Sequence, residues 1–129
     1  MIKSTLVTAS TITIPDLVYT STTTGAPIGG AVTGQTNAVT CIALCNIAAP
    51  SASDETTNAV NCNIYFAKAG IGAQNSGSNC NLVVANLTVP AGETIFFNEE
   101  RIILDSGDEI YVGTNAANRL CVTVSTLPV

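Results

Sequence analysis

The stretch ILDSGDEIYVGTNAANRLCVTVSTL (103–127) alternates apolar and polar residues, breaks at a turn, and resumes the alternation. A period of two is the signature of a strand with one face buried, because successive side chains point to opposite sides of the sheet. The same period runs through most of the chain. Residues 4–14, STLVTASTITI, are rich in β-branched types, and Pro15-Asp16 ends them. LVYTSTTT (17–24) is a second strand candidate, and AVTCIALCNIA (38–48), apolar on both faces, reads as a central strand. AVNCNIYFAKA (59–69) alternates Val60, Cys62, Ile64 and Phe66 against Asn61, Asn63 and Tyr65. CNLVVANLTV (80–89) is a strand, and ETIFFNEERIIL (93–104) is a strand pair or one bent strand. IYVGT (110–114) and LCVTVSTL (120–127) read as a hairpin closed by Asn115-Ala116-Ala117-Asn118.

The segments between are turn chemistry. GAPIGGAVTGQTNA (25–38) holds four glycines and has no period, which marks a long loop or arm. PSASDETTN (50–58), GIGAQNSGSN (70–79), PAGE (90–93) and DSGDE (105–109) are loops or tight turns. No segment carries a helical period, although the alanines leave room for one short helix near 47–57. The expectation is an all-β chain, a single antiparallel β-sandwich or jelly-roll-like domain of about eight strands. Residues 1–37 form N-terminal strands or an arm with the Gly-rich loop, part of the domain or packed on it. Residues 38–129 form the core.

Composition says what the surfaces are made of. Of 129 residues only 4 are basic and 9 acidic, so 10% are charged, against roughly 25% in an ordinary globular domain. Thr (18), Asn (12) and Ser (9) supply the polar faces instead. Hydroxyls and amides are cheaper to cover than charges, because they can find hydrogen bonds inside an interface. The pattern suits a surface covered by copies of itself or by a partner. A sandwich also has edge strands, and few charges are present to blunt them.

The net charge of −5 and the scatter of Lys3, Lys68, Arg101 and Arg119 exclude the clustered cations that nucleic acid or an anionic membrane requires. No apolar run is long enough to span a bilayer, and the opening MIKSTLVTASTITIP does not read as a signal peptide. The chain is therefore expected to be made in the cytoplasm. Its five cysteines, Cys41, Cys45, Cys62, Cys80 and Cys121, read as small buried hydrophobes rather than a disulfide framework. Cys41 and Cys45 share one strand and lie about 13 Å apart, too far to bridge. A Cys62–Cys80 disulfide across neighbouring strands stays open.

The chain contains no His, which removes the usual general base, metal ligand and nucleophile activator. Lys3 and Lys68 stand in no Ser-x-x-Lys context. IGGAVTG lacks the spacing of a phosphate loop, and CIALC has no second Cys pair to complete a zinc site. Glu99-Glu100 before Arg101 reads as a local ion pair. Asp105, Asp108 and Glu109 surround a turn and do not follow the EF-hand spacing. No enzyme activity, no catalytic, cofactor-binding or metal-binding residue and no cofactor is expected.

The segment NLTVPAGETIFFNEERIILDSGDEIYVGTNAANRLCVTVSTL, with VTCIALCN and VNCNIYFAKAG upstream, resembles the small β-sandwich virion structural proteins of tailed bacteriophages. The resemblance spans residues 38–129. It implies a non-enzymatic virion protein, first a capsid decoration (cement) protein that stabilises the shell by bridging capsomers. A neck or tail accessory protein is the alternative; a second alternative, of another class and independent of the resemblance, is a carbohydrate-binding surface module stacking sugars on Tyr19, Tyr65, Tyr111, Phe66, Phe96 or Phe97. The implied partners are the chain itself, as a homotrimer or other symmetric homo-oligomer, and the major capsid protein or neck and tail proteins. The implied location is the virion, assembled in the host cytoplasm.

Overall fold

A computed structural model describes residues 1–21, 36–74, 80–98 and 101–129. Among these residues nine strands form: β1 (Ile2–Leu6), β2 (Asp16–Thr20), β3 (Asn37–Asn46), β4 (Val60–Ala67), β5 (Leu82–Val89), β6 (Thr94–Phe97), β7 (Ile102–Leu104), β8 (Glu109–Thr114) and β9 (Leu120–Pro128). No helix occurs among the described residues, including 47–57, where short turns replace the helix that the alanines allowed. Nor does any element there resemble a membrane-crossing helix.

The strands make two antiparallel sheets. One runs β1-β9-β3-β6, with β7 also on β3, and the other runs β2-β8-β4-β5. β6 pairs with residues 42–45 of β3 and β7 with residues 37–39, so the two lie end to end along one edge of β3. Counted as one interrupted strand, they give the eight-stranded double sheet of a jelly roll. Strands from opposite ends of the chain pair, β1 with β9 and β2 with β8, while β4 and β5 are the single sequence-adjacent pair.

The hairpin expected from β8 and β9 does not form. β8 pairs with β2 and β4, and β9 pairs with β1 and β3. Residues 115–118 instead carry the chain from one sheet to the other, with Asn118 at φ 61°. The reason is burial: both strands alternate so regularly that each is a central strand with neighbours on both sides. Ile110 and Val112 face Leu120, Val122 and Val124 across the core, all at most 1% exposed. Each such side chain contributes about 1.5–3 kcal/mol by leaving water.

Residues 1–14 are not a separable arm. β1 is hydrogen-bonded to β9 along its whole length, and Val7 is fully buried. The strand is shorter than the sequence pattern suggested, because the Asp16 carboxylate gathers the chain behind it. Its Oδ2 accepts from the Thr8 N–H (2.6 Å), the Thr8 hydroxyl (2.9 Å) and the Ala9 N–H (3.2 Å). Of the Gly-rich stretch 25–38, Asn37 and Ala38 open β3, and residues 25–35 lie outside the described residues.

Candidate interaction surface

The outer face of the β1-β9-β3-β6/β7 sheet follows from register alone. Core residues Leu44, Val122 and Ile42 point inward, so their strand neighbours point out. One row across the sheet reads Leu6, Cys121, Cys45, Thr94, and the next reads Ser4, Thr123, Ala43, Phe96. Below them come Ile2, Ser125 and Cys41, then Leu127, Ala38 and Ile103. No charged residue stands in these rows. Ile2 (72%), Phe96 (61%), Leu127 (57%) and Ile103 (56%) are widely exposed. The hydroxyls between them bond within the face, as Ser4 Oγ does with Thr123 Oγ1 at 2.9 Å and Thr40 Oγ1 with Ser125 Oγ at 3.1 Å. A face of this kind loses little on being covered.

The outer face of the other sheet is covered in part, over Gly113, Asn63 and Tyr65, by the protein itself. The β1–β2 connection passes over Gly113 so closely that a Cβ there would lie 2.2 Å from the Ile12 carbonyl oxygen. Beneath and beside it the polar groups are paired. Asn63 donates to the Tyr65 hydroxyl (3.1 Å) and accepts from the Asn86 N–H (2.8 Å), and both Asn63 and Tyr65 are buried. Tyr111 donates to the Glu109 carboxylate, and that bond, followed by partial desolvation and the charge of Glu109, raises the phenol above its ordinary pKa. Among the described residues no buried side-chain polar atom lacks a partner.

A cavity of about 440 Å3 opens between the sheets where β5 faces β6. Ile42 and Ile64 line its depth, Val83, Phe96 and Phe97 its rim, and Asn98 is its polar lining residue. The size suits a small apolar molecule or a few side chains.

Edges matter less than composition suggested. β1, β2, β6 and β7 have only three to five residues each. β5 is longer, but its ladder slips where Asn86 takes φ 55°. Short and bulged edges resist strand pairing, so the broad uncharged face is the better candidate for contact.

The residues weighed for chemistry do not assemble. Among the described residues no three Cys, Asp or Glu side chains are grouped to hold a metal. Asp108 closes its own turn, accepting from the N–H groups of Asp105 (3.0 Å) and Ala69 (3.3 Å). Glu99 and Glu100 lie outside the described residues. Lys3, Lys68, Arg101 and Arg119 sit on β1, after β4, before β7 and before β9, on separate elements. Of the aromatic residues, Tyr19 and Tyr65 are buried, while Phe96 and Phe97 are exposed side by side on β6.

All five cysteines are free thiols. Cys62 and Cys80 do not bridge. Cys62 stands opposite Leu87, whereas Tyr65 stands opposite Leu82, so Cys80 lies near the other end of β4. Cys62 is fully buried, and burial pushes its thiol up to about 11. Cys45 and Cys121 are directly opposed across β3 and β9. The sequence pattern does not reveal that pairing, because it depends on which strands become neighbours.

No protein-family model, curated protein or solved structure matches the chain.

Proposed function

We propose that this jelly roll is a non-enzymatic virion structural protein, and first a capsid decoration protein. Its role is to stabilise an assembled shell by covering it. The observation that carries the reading is the outer face of the β1-β9-β3-β6/β7 sheet, whose four described cross-strand rows from Leu6–Thr94 to Leu127–Ile103 hold no charged residue and which exposes Ile2, Phe96, Ile103 and Leu127. An exposed apolar expanse of this kind marks an interaction surface. Symmetric copies of the subunit cover the face against each other or against the lattice. A subunit that binds the assembled lattice and not free coat protein stabilises the lattice by mass action. The neighbouring cavity between β5 and β6 provides a seat for an apolar anchor side chain.

The carbohydrate-binding alternative needs aromatic rings displayed as stacking platforms. Buried Tyr19 and Tyr65 are unavailable for that and Tyr111 is engaged by Glu109, which leaves Phe96 and Phe97 on β6 as the exposed rings such a site would have to use. Copy number tests the proposal. Particles carrying the protein are purified, and its amount is measured against the major coat protein by mass spectrometry. Near parity supports shell decoration. About a dozen copies move the protein to the neck or tail, and absence from particles removes the virion reading.

A further inference from the structure

Five thiols lie in one chain, and only two of them face each other. Cys45 and Cys121 are direct partners in the β3·β9 ladder, inside a run of regular register from Cys41 to Asn46. The Ile47 N–H donates to the Arg119 carbonyl at 2.8 Å just beyond them, so the hydrogen-bonded spacing holds on that side as well. Directly opposed residues at such a position have Cα atoms about 5.5 Å apart, which lies inside the disulfide range of about 4.4–6.8 Å. Both side chains point to the outer face and both are part-exposed. The other three cannot compete. Cys41 is opposite Ser125, Cys62 is sealed in the core, and Cys80 lies beyond the end of β5.

We infer that Cys45 and Cys121 form a cross-strand dithiol that closes to a disulfide when a low-molecular-weight disulfide is supplied, locking the two central strands of the sheet. The chemistry is two exchanges. One thiolate attacks a sulfur of oxidised glutathione, forming a mixed disulfide and expelling one glutathione thiolate. The opposed thiolate then attacks the protein sulfur of that mixed disulfide and expels the second. One S–S bond is broken and one is formed. Two electrons pass to the small disulfide, and the two protons from the cysteines end on the two released glutathiones. At a hydrogen-bonded position opposed Cβ atoms lie about 5.5 Å apart, so closing the pair draws them roughly 1–1.5 Å together, and that strain makes the bond readily reopened by a dithiol reductant. The link encloses residues 45–121 and restricts the unfolded chain far more than the folded one. A chain folded in reducing surroundings thus gains a lock when its surroundings oxidise. This inference depends on strand register and not on the virion reading.

The test uses the full-length folded protein with oxidised glutathione. Remaining thiols are trapped by alkylation, and peptides are mapped by mass spectrometry without reduction. The expected product is a peptide pair joined through Cys45 and Cys121, formed equally in Cys41→Ser and Cys80→Ser. It is lost in both Cys45→Ser and Cys121→Ser, where the remaining partner carries a glutathione. The oxidised protein is expected to melt roughly 10 °C higher than the reduced one. Recovery of Cys45 and Cys121 only as separately alkylated or glutathionylated peptides overturns the pairing. A linked protein whose melting temperature is unchanged overturns the lock.

Discussion

The two sheets treat their outer faces in opposite ways. The β2-β8-β4-β5 sheet is covered in part by its own chain, which lies against Gly113, and it ties its polar groups to one another through Asn63, Tyr65 and Asn86. The β1-β9-β3-β6/β7 sheet leaves Ile2, Phe96, Ile103 and Leu127 exposed beside half-buried cysteines and hydroxyls. The same alternating strands therefore produce one face finished within the molecule and one suited to being finished by a neighbour. What separates them is tertiary: a loop crosses one sheet, and among the described residues none crosses the other so closely.

The largest effect should come from forcing the covered face open. Gly113→Ala places a methyl against the Ile12 carbonyl, and should cost about 3 kcal/mol in denaturant unfolding. A loss below about 0.5 kcal/mol would show that the loop lifts away freely. Next comes the network beneath it. Asn63→Ala strips the Asn86 N–H of its acceptor and the Tyr65 hydroxyl of a donor, and should cost about 2 kcal/mol.

The exposed face should respond in the opposite sense. Phe96→Ser and Ile103→Ser should each shift folding stability by less than about 1 kcal/mol. On the proposed function, each should weaken retention on particles by roughly tenfold or more in a co-sedimentation assay. Equal losses of stability on both faces would erase the contrast.

The smallest effect is a pH dependence confined to the covered sheet. The folded state holds the Tyr111 proton more tightly than the unfolded chain does, first through the bond to Glu109. That contribution is complete below the ordinary phenol value of about 10 and is lost as pH rises through the raised folded value. Alkaline unfolding curves should steepen above about pH 10, and Tyr111→Phe should remove the phenol's share while leaving that of the buried Cys62 thiol, which is raised to about 11.

Much of the architecture is legible in the residues. The period of two located most strands, Pro90 and Gly92 marked the β5–β6 turn, and the run around Leu44 announced a central strand. What misled was proximity along the chain. β8 and β9 look like a hairpin because a short loop joins them, yet each buries one face so completely that it requires a different partner sheet. β1 looks like an arm because only its neighbours in space, not in sequence, complete it. The candidate surface was half visible. Low charge announced that some face could be covered cheaply, but which face depended on where the β1–β2 connection lies.

Side-chain period and residue type are local properties, and they suffice to specify an all-β chain with two alternating faces per strand and few charges to place on them. That β9 lies between β1 and β3 was set by long-range packing. That choice set Cys45 against Cys121 and brought Ile2, Leu6, Phe96, Ile103 and Leu127 onto one face. Strand partnership is governed by which buried faces fit together across the core, and local alternation carries no record of it.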